Sequence, residues 1–422
     1  MKFNKTILRN GVRLVTVPMP DNPAVTVLVM VEAGSKYETR ENNGISHFLE
    51  HMVFKGSKKR PKASDISREL DGIGAHYNAF TSQEFTGYYA KVDKKHRGAI
   101  LDIVSDMYLN PLFDEGEMRK EKGVIVEEIR MYNDLPQKKV QDEFMALLYD
   151  GQPAGWNIAG TEDNVRGFAR EQLTDYRSEH YVASGTTVIV SGSFDQKTID
   201  KEVESSFAGI SSNPKQPKAP VIESQSSPHI RTVFKETDQT HLVIGLRSFS
   251  ILDERIPAMN VLSTVLGRGM SSRLFSKMRD ELGICYYIKA DNEAFTDHGV
   301  LTVVAGVDNA RVEEGIAGIL KECRRLKDEL VSVAELKKTK DYIAGTTMLE
   351  LETSDARAEF CGYQEAVKGK IESPDELVAK VNAVTAEDLQ KLAREVFGDG
   401  GLNMALIGRI KDDENLRKNF RL

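Results

Sequence analysis

Hydrophobic positions along the chain follow the two periods of regular secondary structure. Around Asn10 and Gly11, short apolar runs flank a turn dipeptide, which predicts a pair of antiparallel strands. Between residues 41 and 54, apolar side chains recur every three to four positions, and this spacing predicts a helix with one buried face. Those side chains are Ile45, Phe48, Leu49, Met52 and Val53. A second helical pattern covers residues 116–134.

One pattern occurs twice in the chain. Residues 165–195 and 381–412 each contain an amphipathic helix with an acidic residue near its start, a short loop and an apolar strand that ends in glycine. A weaker correspondence joins 80–108 with 294–323, since both segments have the pattern of a strand, a short polar turn and a long helix. Repetition at a fixed offset indicates duplicated structural units. The sequence therefore predicts two copies of one α+β unit.

A segment without periodicity separates the two predicted copies. Residues 213–229 contain four prolines and several serines, a composition that is typical of a linker. We therefore predict an N-terminal unit at 1–212 and a homologous C-terminal unit at 230–422.

Composition and charge exclude several classes of protein. The chain of 422 residues is 40% hydrophobic and 29% charged, which is typical of a globular protein and not of a disordered one. Its net charge of -7 does not favour a nucleic-acid or membrane-surface partner. No stretch approaches about 18 consecutive apolar residues, so no membrane span is expected. Three widely spaced cysteines form no disulfide framework, and we expect a reducing, cytoplasmic location.

The helix at 41–54 contains candidate metal ligands. His47 and His51 are four residues apart, so they lie on one side of a helix and can direct two imidazoles to one point. Two neutral imidazoles suit zinc, although a catalytic zinc also needs a third protein ligand. Glu50 could accept a proton from a water that attacks a carbonyl group. The alternative is a pair of histidines on a solvated helix face or in the core.

The helix at 116–134 offers a third ligand. One stripe of this helix carries two glutamates among apolar residues, so we expect it to face the core: Glu121, Val124, Ile125, Glu128 and Tyr132. Buried carboxylates are costly unless they are paired or bind a metal. We therefore expect Glu128 to be the third ligand and Glu121 to support the site. A buried salt-bridge network is the alternative.

The stretch HFLEHMVFKG contains His-x-x-Glu-His, and with it the chain resembles the pitrilysin-type metallopeptidases of family M16. Its length resembles the short-chain branch that includes the mitochondrial processing peptidase and its bacterial homologues. The family places a glutamate ligand 77 residues after the second histidine, and Glu128 stands there. The resemblance implies that His47, His51 and Glu128 bind one zinc ion per chain, with Glu50 as general base and Glu121 in support.

Two further stretches resemble segments that contact substrate in the family. In GAHYNAFTSQEFTGYY, the resemblance implies that Asn78 and Ala79 lie on a strand edge that pairs with the substrate, although Asn78 could instead be a turn residue. In the second half, Arg279 and Tyr286 match a catalytic Arg/Tyr pair, seven residues apart, that donates hydrogen bonds to substrate. Tyr287 could replace Tyr286, and the alternatives for the pair are a surface ion pair and a buried aromatic ring.

The resemblance also implies an activity and an assembly. Each unit should be a mainly antiparallel sheet packed with helices, and the protein should hydrolyse internal bonds of peptides or unfolded segments in a closed chamber. The zinc residues and the Arg/Tyr pair lie in different halves, so a homodimer is expected, with each pair reaching the partner's zinc site. The competing interpretations are a non-catalytic subunit of a larger assembly and a peptide-binding scaffold with a structural metal.

Overall fold

The computed structural model describes residues 1–422, which form two compact units. Each unit is assembled from three segments of the chain. The first unit contains Met1–Arg130, Trp156–Ala219 and Met348–Ser373, and the second contains Met131–Gly155, Pro220–Thr347 and Pro374–Leu422.

A six-stranded sheet forms the centre of the first unit. Its strands are β1 (Asn4–Ile7), β2 (Arg13–Pro18), β3 (Ala24–Val31), β4 (His76–Thr81), β5 (Thr86–Asp93) and β6 (Thr186–Gly192). The order across the sheet is β1-β2-β6-β3-β5-β4. Only β2 and β6 run parallel, and all other neighbours are antiparallel. The strand pair predicted around Asn10 and Gly11 is the β1–β2 hairpin.

Helices cover this sheet on both faces. They are α1 (Ile45–Val53), α2 (Ala63–Gly72), α3 (Arg97–Leu109), α4 (Glu115–Asp134), α6 (Glu162–Gly167), α7 (Arg170–His180), α8 (Gln196–Ser206) and α12 (Ser354–Lys368). The last four residues of α4 belong to the second unit. None of the chain's helices combines the length and the apolar composition needed to cross a membrane.

The central strand β3 shows why the sheet needs cover on both sides. Seven of its eight residues are buried, as expected for a strand packed on both faces. Val25 and Val27 belong to the core that includes α1 and α3. Leu28 and Met30 instead pack against Ala358 and other residues of α12 on the opposite face. The two-residue period of a strand thus divides its side chains between two helical layers.

The second unit has a five-stranded sheet. Its strands are β7 (His229–Phe234), β8 (Gln239–Ser248), β9 (Cys285–Ala294), β10 (Gly299–Asp308) and β11 (Asn403–Gly408), in the order β7-β11-β8-β10-β9. Its helices are α5 (Pro136–Leu148), α9 (Ile256–Gly267), α10 (Val312–Asp328), α11 (Val333–Glu350), α13 (Pro374–Ala383), α14 (Ala386–Val396) and α15 (Glu414–Asn419).

The two sheets confirm the predicted duplication. In the first sheet, β6 lies between β2 and β3, parallel to β2 and antiparallel to β3. In the second sheet, β11 lies in the same way between β7 and β8, parallel to β7 and antiparallel to β8. The repeated pattern at 165–195 and 381–412 forms α7–β6 in one unit and α14–β11 in the other. The prediction of an α+β protein with two related units is confirmed.

The compact units differ from the linear division at 213–229 by an exchange of two helices. Although α5 precedes that segment, it packs on the second sheet, where Val140 and Phe144 meet Val243 and Ala405. Although α12 follows the segment, it packs on the first sheet. An amphipathic helix needs an apolar surface to cover, and its sequence does not specify which sheet provides one.

Candidate metal centre

Helix α1 has an unusual start that fixes its position. Gly44 precedes the helix with a φ of 99°, and no side chain at that position caps the first turn. The buried carboxylate of Glu38 instead accepts hydrogen bonds from the backbone N–H groups of Gly44, at 2.8 Å, and Ser46, at 2.9 Å. An anion at a helix N-terminus is favourable, because unpaired N–H groups converge there. Burial raises the pKa of Glu38, although these hydrogen bonds lower it.

Close backbone packing also holds this start in place. A Cβ atom on Gly44 would lie 2.6 Å from the carbonyl oxygen of Ala159. The facing residue Gly160 has a φ of 76°, and a Cβ atom on it would lie 2.3 Å from the oxygen of Asn43. Both positions therefore require glycine. The helix begins at Ile45, whose backbone N–H donates to the carbonyl oxygen of Asn42, and not at residue 41.

Three candidate ligands converge beside α1. Nε2 of His47 lies 3.7 Å from Oε2 of Glu128, and Nε2 of His51 lies 3.4 Å from the same oxygen. One donor atom from each of the three residues lies within 4.8 Å of the others. The helical spacing of the histidines brings their rings together, with centroids 4.7 Å apart. Glu128 reaches them from α4.

This donor set fits zinc. Two imidazole nitrogens and one carboxylate oxygen are typical ligands of a catalytic zinc site, which leaves a fourth position for water or substrate. Tetrahedral coordination at the usual zinc–ligand distances separates ligand atoms by about 3.3 Å. The separations of 3.4 and 3.7 Å from the Glu128 oxygen to the two imidazoles are close to that value.

The imidazole of His51 is held from its other side. Its Nδ1 lies 2.9 Å from Oε1 of Glu121, and Oε2 of Glu121 lies 2.8 Å from Nζ of Lys55. A ligating histidine usually donates its second ring N–H to such an oxygen, which fixes the nitrogen that faces the metal. Glu121 thus contacts the ring of His51 from behind and is not among the three residues whose donor atoms converge.

The pKa values of the two imidazoles are shifted in opposite directions. Burial, followed by the charge of His51, lowers the pKa of His47 to about 4. For His51, burial acts in the same direction, but hydrogen bonds with Glu121 and Glu128 outweigh it and raise its pKa to about 9. A metal binds the neutral form of an imidazole, so zinc would displace the proton that His51 otherwise carries, whereas His47 has none to lose.

Glu50 lies on the same helix as the two histidines. Its Oε2 accepts a hydrogen bond of 2.5 Å from the hydroxyl of Thr81, the last residue of β4. Burial raises the pKa of Glu50, and the Thr81 hydrogen bond lowers it. This hydrogen bond thus joins the side chain of Glu50 to the last residue of β4.

Strand β4 offers a free edge beside Glu50. It pairs with β5 alone, where Asn78 faces Tyr89 and Ala79 faces Tyr88. Asn78 is exposed and Ala79 is buried, so alternate side chains point away from and into the core. Asn78 therefore lies in a strand and not in a turn.

The predicted Arg/Tyr pair lies in the second unit. The guanidinium carbon of Arg279 is 5.5 Å from the ring centre of Tyr286, whose surface is 68% exposed. Arg279 belongs to a π-helical segment at Phe275–Glu281, a rare geometry that often occurs at functional sites. Tyr287 is half-buried, and its hydroxyl is 2.9 Å from Nδ1 of His241. The geometry favours Tyr286 over Tyr287 as the residue available to a ligand.

One prediction about α4 was wrong. Val124 and Tyr132, which we expected to face the core, are 52% and 37% exposed. The buried face runs through Met118, Glu121, Ile125 and Ile129 instead. A period of 3.6 residues places Val124 about 60° from Glu121 and on the outer side of this face.

Three residues beside the site were missed from the sequence. Glu38 had no signal, because it lies in a loop before α1. Thr81 follows Asn78 and Ala79 on β4, but a hydroxyl at a strand end has no distinctive pattern. Lys55 lies four residues after His51, and this helical spacing could have indicated it.

Comparisons with known proteins show which family the chain matches. Residues 13–162 match the family described as Insulinase (Peptidase family M16), and residues 167–343 match the Peptidase M16 inactive domain. The chain is 36% identical over 389 residues to the uncharacterized zinc protease YmxG of Bacillus subtilis, covering 92% of this chain and 94% of that one. It is 34% identical to an uncharacterized zinc protease of Streptomyces coelicolor, covering 98% and 91%.

The fold also occurs among solved structures. A protease from Helicobacter pylori superposes with a TM-score of 0.89 at 22% identity, over 96% of this chain and 99% of that one. A peptidase M16 inactive domain from Pseudomonas fluorescens superposes with a TM-score of 0.90 at 14% identity, over 97% and 99%. At these identities, the likeness concerns the fold alone.

Proposed function

The chain belongs to peptidase family M16, and on that premise we propose that it is a zinc-dependent endopeptidase. The proposed substrates are peptides or unfolded segments, cut at internal bonds. The observation that carries this proposal is the convergence of His47, His51 and Glu128 at separations suited to zinc, with Glu50 on the same helix. A buried structural ion pair would not need two imidazoles that face one carboxylate oxygen.

The metal supplies one part of the chemistry. His47, His51 and Glu128 would hold one zinc ion per chain, which would supply polarisation of the scissile carbonyl group and a lowered pKa for bound water.

The chain itself supplies the proton transfer. Glu50 accepts a proton from the attacking water and then gives it to the nitrogen of the leaving amine. The Thr81 hydroxyl holds one oxygen of Glu50 and leaves the other available for that proton. Glu121 keeps the His51 ring in the orientation that directs Nε2 toward Glu128.

The free edge of β4 is the proposed docking site for substrate. An extended peptide can add to a sheet edge through main-chain hydrogen bonds, which demand little of the side-chain sequence. Asn78 and Ala79 on this strand would contact the peptide next to the scissile bond. Docking as a strand excludes folded substrates, in keeping with a closed chamber.

We extend the proposal to a homodimer. Arg279 and Tyr286 present a cation and an exposed phenol, which can donate hydrogen bonds to substrate carbonyl groups. In the proposed dimer, the pair of one chain reaches the zinc site of its partner, with two sites per C2 dimer. A cytoplasmic location is part of the proposal, because Cys285, Cys323 and Cys361 are buried and free.

Two experiments test these points. Mass spectrometry of a mixed pool of unstructured peptides should show internal cuts that a chelator abolishes, and it should show much slower cutting of folded proteins. Terminal trimming alone would contradict endopeptidase action, and equal rates on folded proteins would contradict the chamber. For the dimer, Glu50→Gln chains mixed with Arg279→Ala chains should recover activity. No recovery at matched dimer concentration would contradict shared sites.

A further inference from the structure

Lys55 connects the zinc-binding residues with the protein surface. It lies two residues after the end of α1, and its Nζ lies 2.8 Å from Oε2 of Glu121. The other oxygen of Glu121 lies 2.9 Å from Nδ1 of His51. The Glu121 side chain is only 6% exposed, whereas that of Lys55 is 28% exposed. A three-residue chain of contacts therefore runs from solvent to a proposed zinc ligand.

The arrangement of Glu121 requires both of its partners. A buried carboxylate is costly when one of its oxygens lacks a partner, since it has lost its hydration. With Lys55 on Oε2, the plane of the carboxylate is fixed and Oε1 is directed at His51. Without Lys55, Glu121 could turn toward other donors, and His51 would lose the acceptor that orients its ring.

Lys55 differs in this respect from Lys62, another lysine of the same cavity. Both Lys55 and Lys62 line a cavity of about 1010 Å³ between the end of α1 and the starts of α2 and α4. Lys62 is exposed and contacts Asp65 through its backbone N–H. Only Lys55 of this pair contacts a residue that touches a proposed ligand. Lys62 therefore serves as a matched control for charge and location.

We propose that Lys55 is a positioning residue for zinc binding, which acts by holding Glu121 against His51. This inference rests on the proposed function, because it takes His47, His51 and Glu128 to be the zinc ligands. Lys55 touches neither the metal nor the substrate, so its contribution is to the affinity of the site for zinc.

The test measures the zinc dissociation constant by competition with a chromophoric chelator, using the full chain. Loss of a group that supports a ligating histidine typically weakens metal binding about 10–100-fold. Lys55 contacts Glu121 and not the ligand His51 itself, so Lys55→Met should weaken zinc binding by about tenfold, near the lower limit of that range. Lys55→Arg should retain most of the affinity, since it keeps the charge, and Lys62→Met should match the unmodified chain.

A double-mutant cycle separates positioning from general damage to the fold. If Lys55 acts through Glu121, Lys55→Met should have almost no further effect on zinc affinity in a Glu121→Gln background. Thermal unfolding shows whether each variant is folded, and Lys55→Gln replaces Lys55→Met if the latter is not. An unchanged dissociation constant for the single variant, or an equal loss in both backgrounds, would overturn the proposal. Absence of zinc binding by the unmodified chain would refute the proposed function itself, which is a distinct result.

Discussion

Replacing Thr81 by valine removes the hydroxyl that donates to Glu50 and changes little else. Valine has the same branched shape as threonine and favours strands at least as strongly, so β4 should keep its pairing with β5. The hydroxyl of Thr81 bonds to Glu50 and not to the proposed zinc ligands His47, His51 and Glu128. The substitution therefore releases the proposed base without altering the metal site.

The expected effect follows from the strength of that hydrogen bond. Thr81 donates to a carboxylate at 2.5 Å, and hydrogen bonds to charged groups contribute about 1.5–3 kcal/mol. Each 1.4 kcal/mol corresponds to about a tenfold change in rate. If most of this interaction orients Glu50 for proton transfer, kcat should fall by about 10- to 100-fold.

The assay compares Thr81→Val and Thr81→Ser with the unmodified chain on one unstructured peptide. We expect Thr81→Val to lower kcat with little change in KM, because the substrate would bind through main-chain bonds. Thr81→Ser should recover most of the rate, since it restores the hydroxyl. Zinc content should be the same in all three. Equal kcat values for the valine variant and the unmodified chain would refute the role assigned to Thr81.

Three further substitutions test the site and its support. Glu128→Gln should weaken zinc binding at least about tenfold, since loss of a ligand should cost no less affinity than loss of a group that supports one. Glu127→Gln, on the exposed side of α4, should leave zinc binding unchanged. Metal analysis after dialysis measures the zinc content of both variants. Gly44→Ala should destabilise the first unit by about 1–3 kcal/mol or more, because it strains the backbone and meets a carbonyl oxygen, and calorimetry should show a lower Tm. Gly72→Ala, which meets open space, is its control. Burial lowers the pKa of His180 to about 4, so below pH 6.5 the unfolded state binds a proton that the folded state does not. Stability should therefore fall by about 2 kcal/mol from pH 7 to pH 5, and His180→Phe should reduce this loss in urea titrations; an unchanged slope would contradict the assignment.

Much of the candidate site was accessible from local patterns. The period of apolar residues located α1 and placed His47 and His51 on one side of it. Glu128 was predicted from a stripe of α4 that was expected to be buried, and its carboxylate lies beside both histidines although part of that stripe is exposed. Repetition of the helix–strand pattern predicted the two related sheets, because the same pattern of side chains folds into the same supersecondary unit.

The features that were missed depend on contacts between distant parts of the chain. Whether Val124 faces the core depends on where α4 packs. Periodicity alone indicated that α4 has a buried face but did not determine which residues lie at its centre. Glu38 caps α1 from a loop, so no spacing rule points to it. The exchange of α5 and α12 has the same origin, since each helix carries an apolar face that would suit either sheet.

The most direct test of the account measures zinc content and peptide cleavage on the same samples of the unmodified chain and of Glu50→Gln. Glutamine keeps the size of the side chain but cannot accept the proton. Both proteins should hold one zinc ion per chain, and only the unmodified chain should cleave internal peptide bonds. Equal cleavage by Glu50→Gln would contradict the role of Glu50, and an unmodified chain that binds no zinc would contradict the metal site.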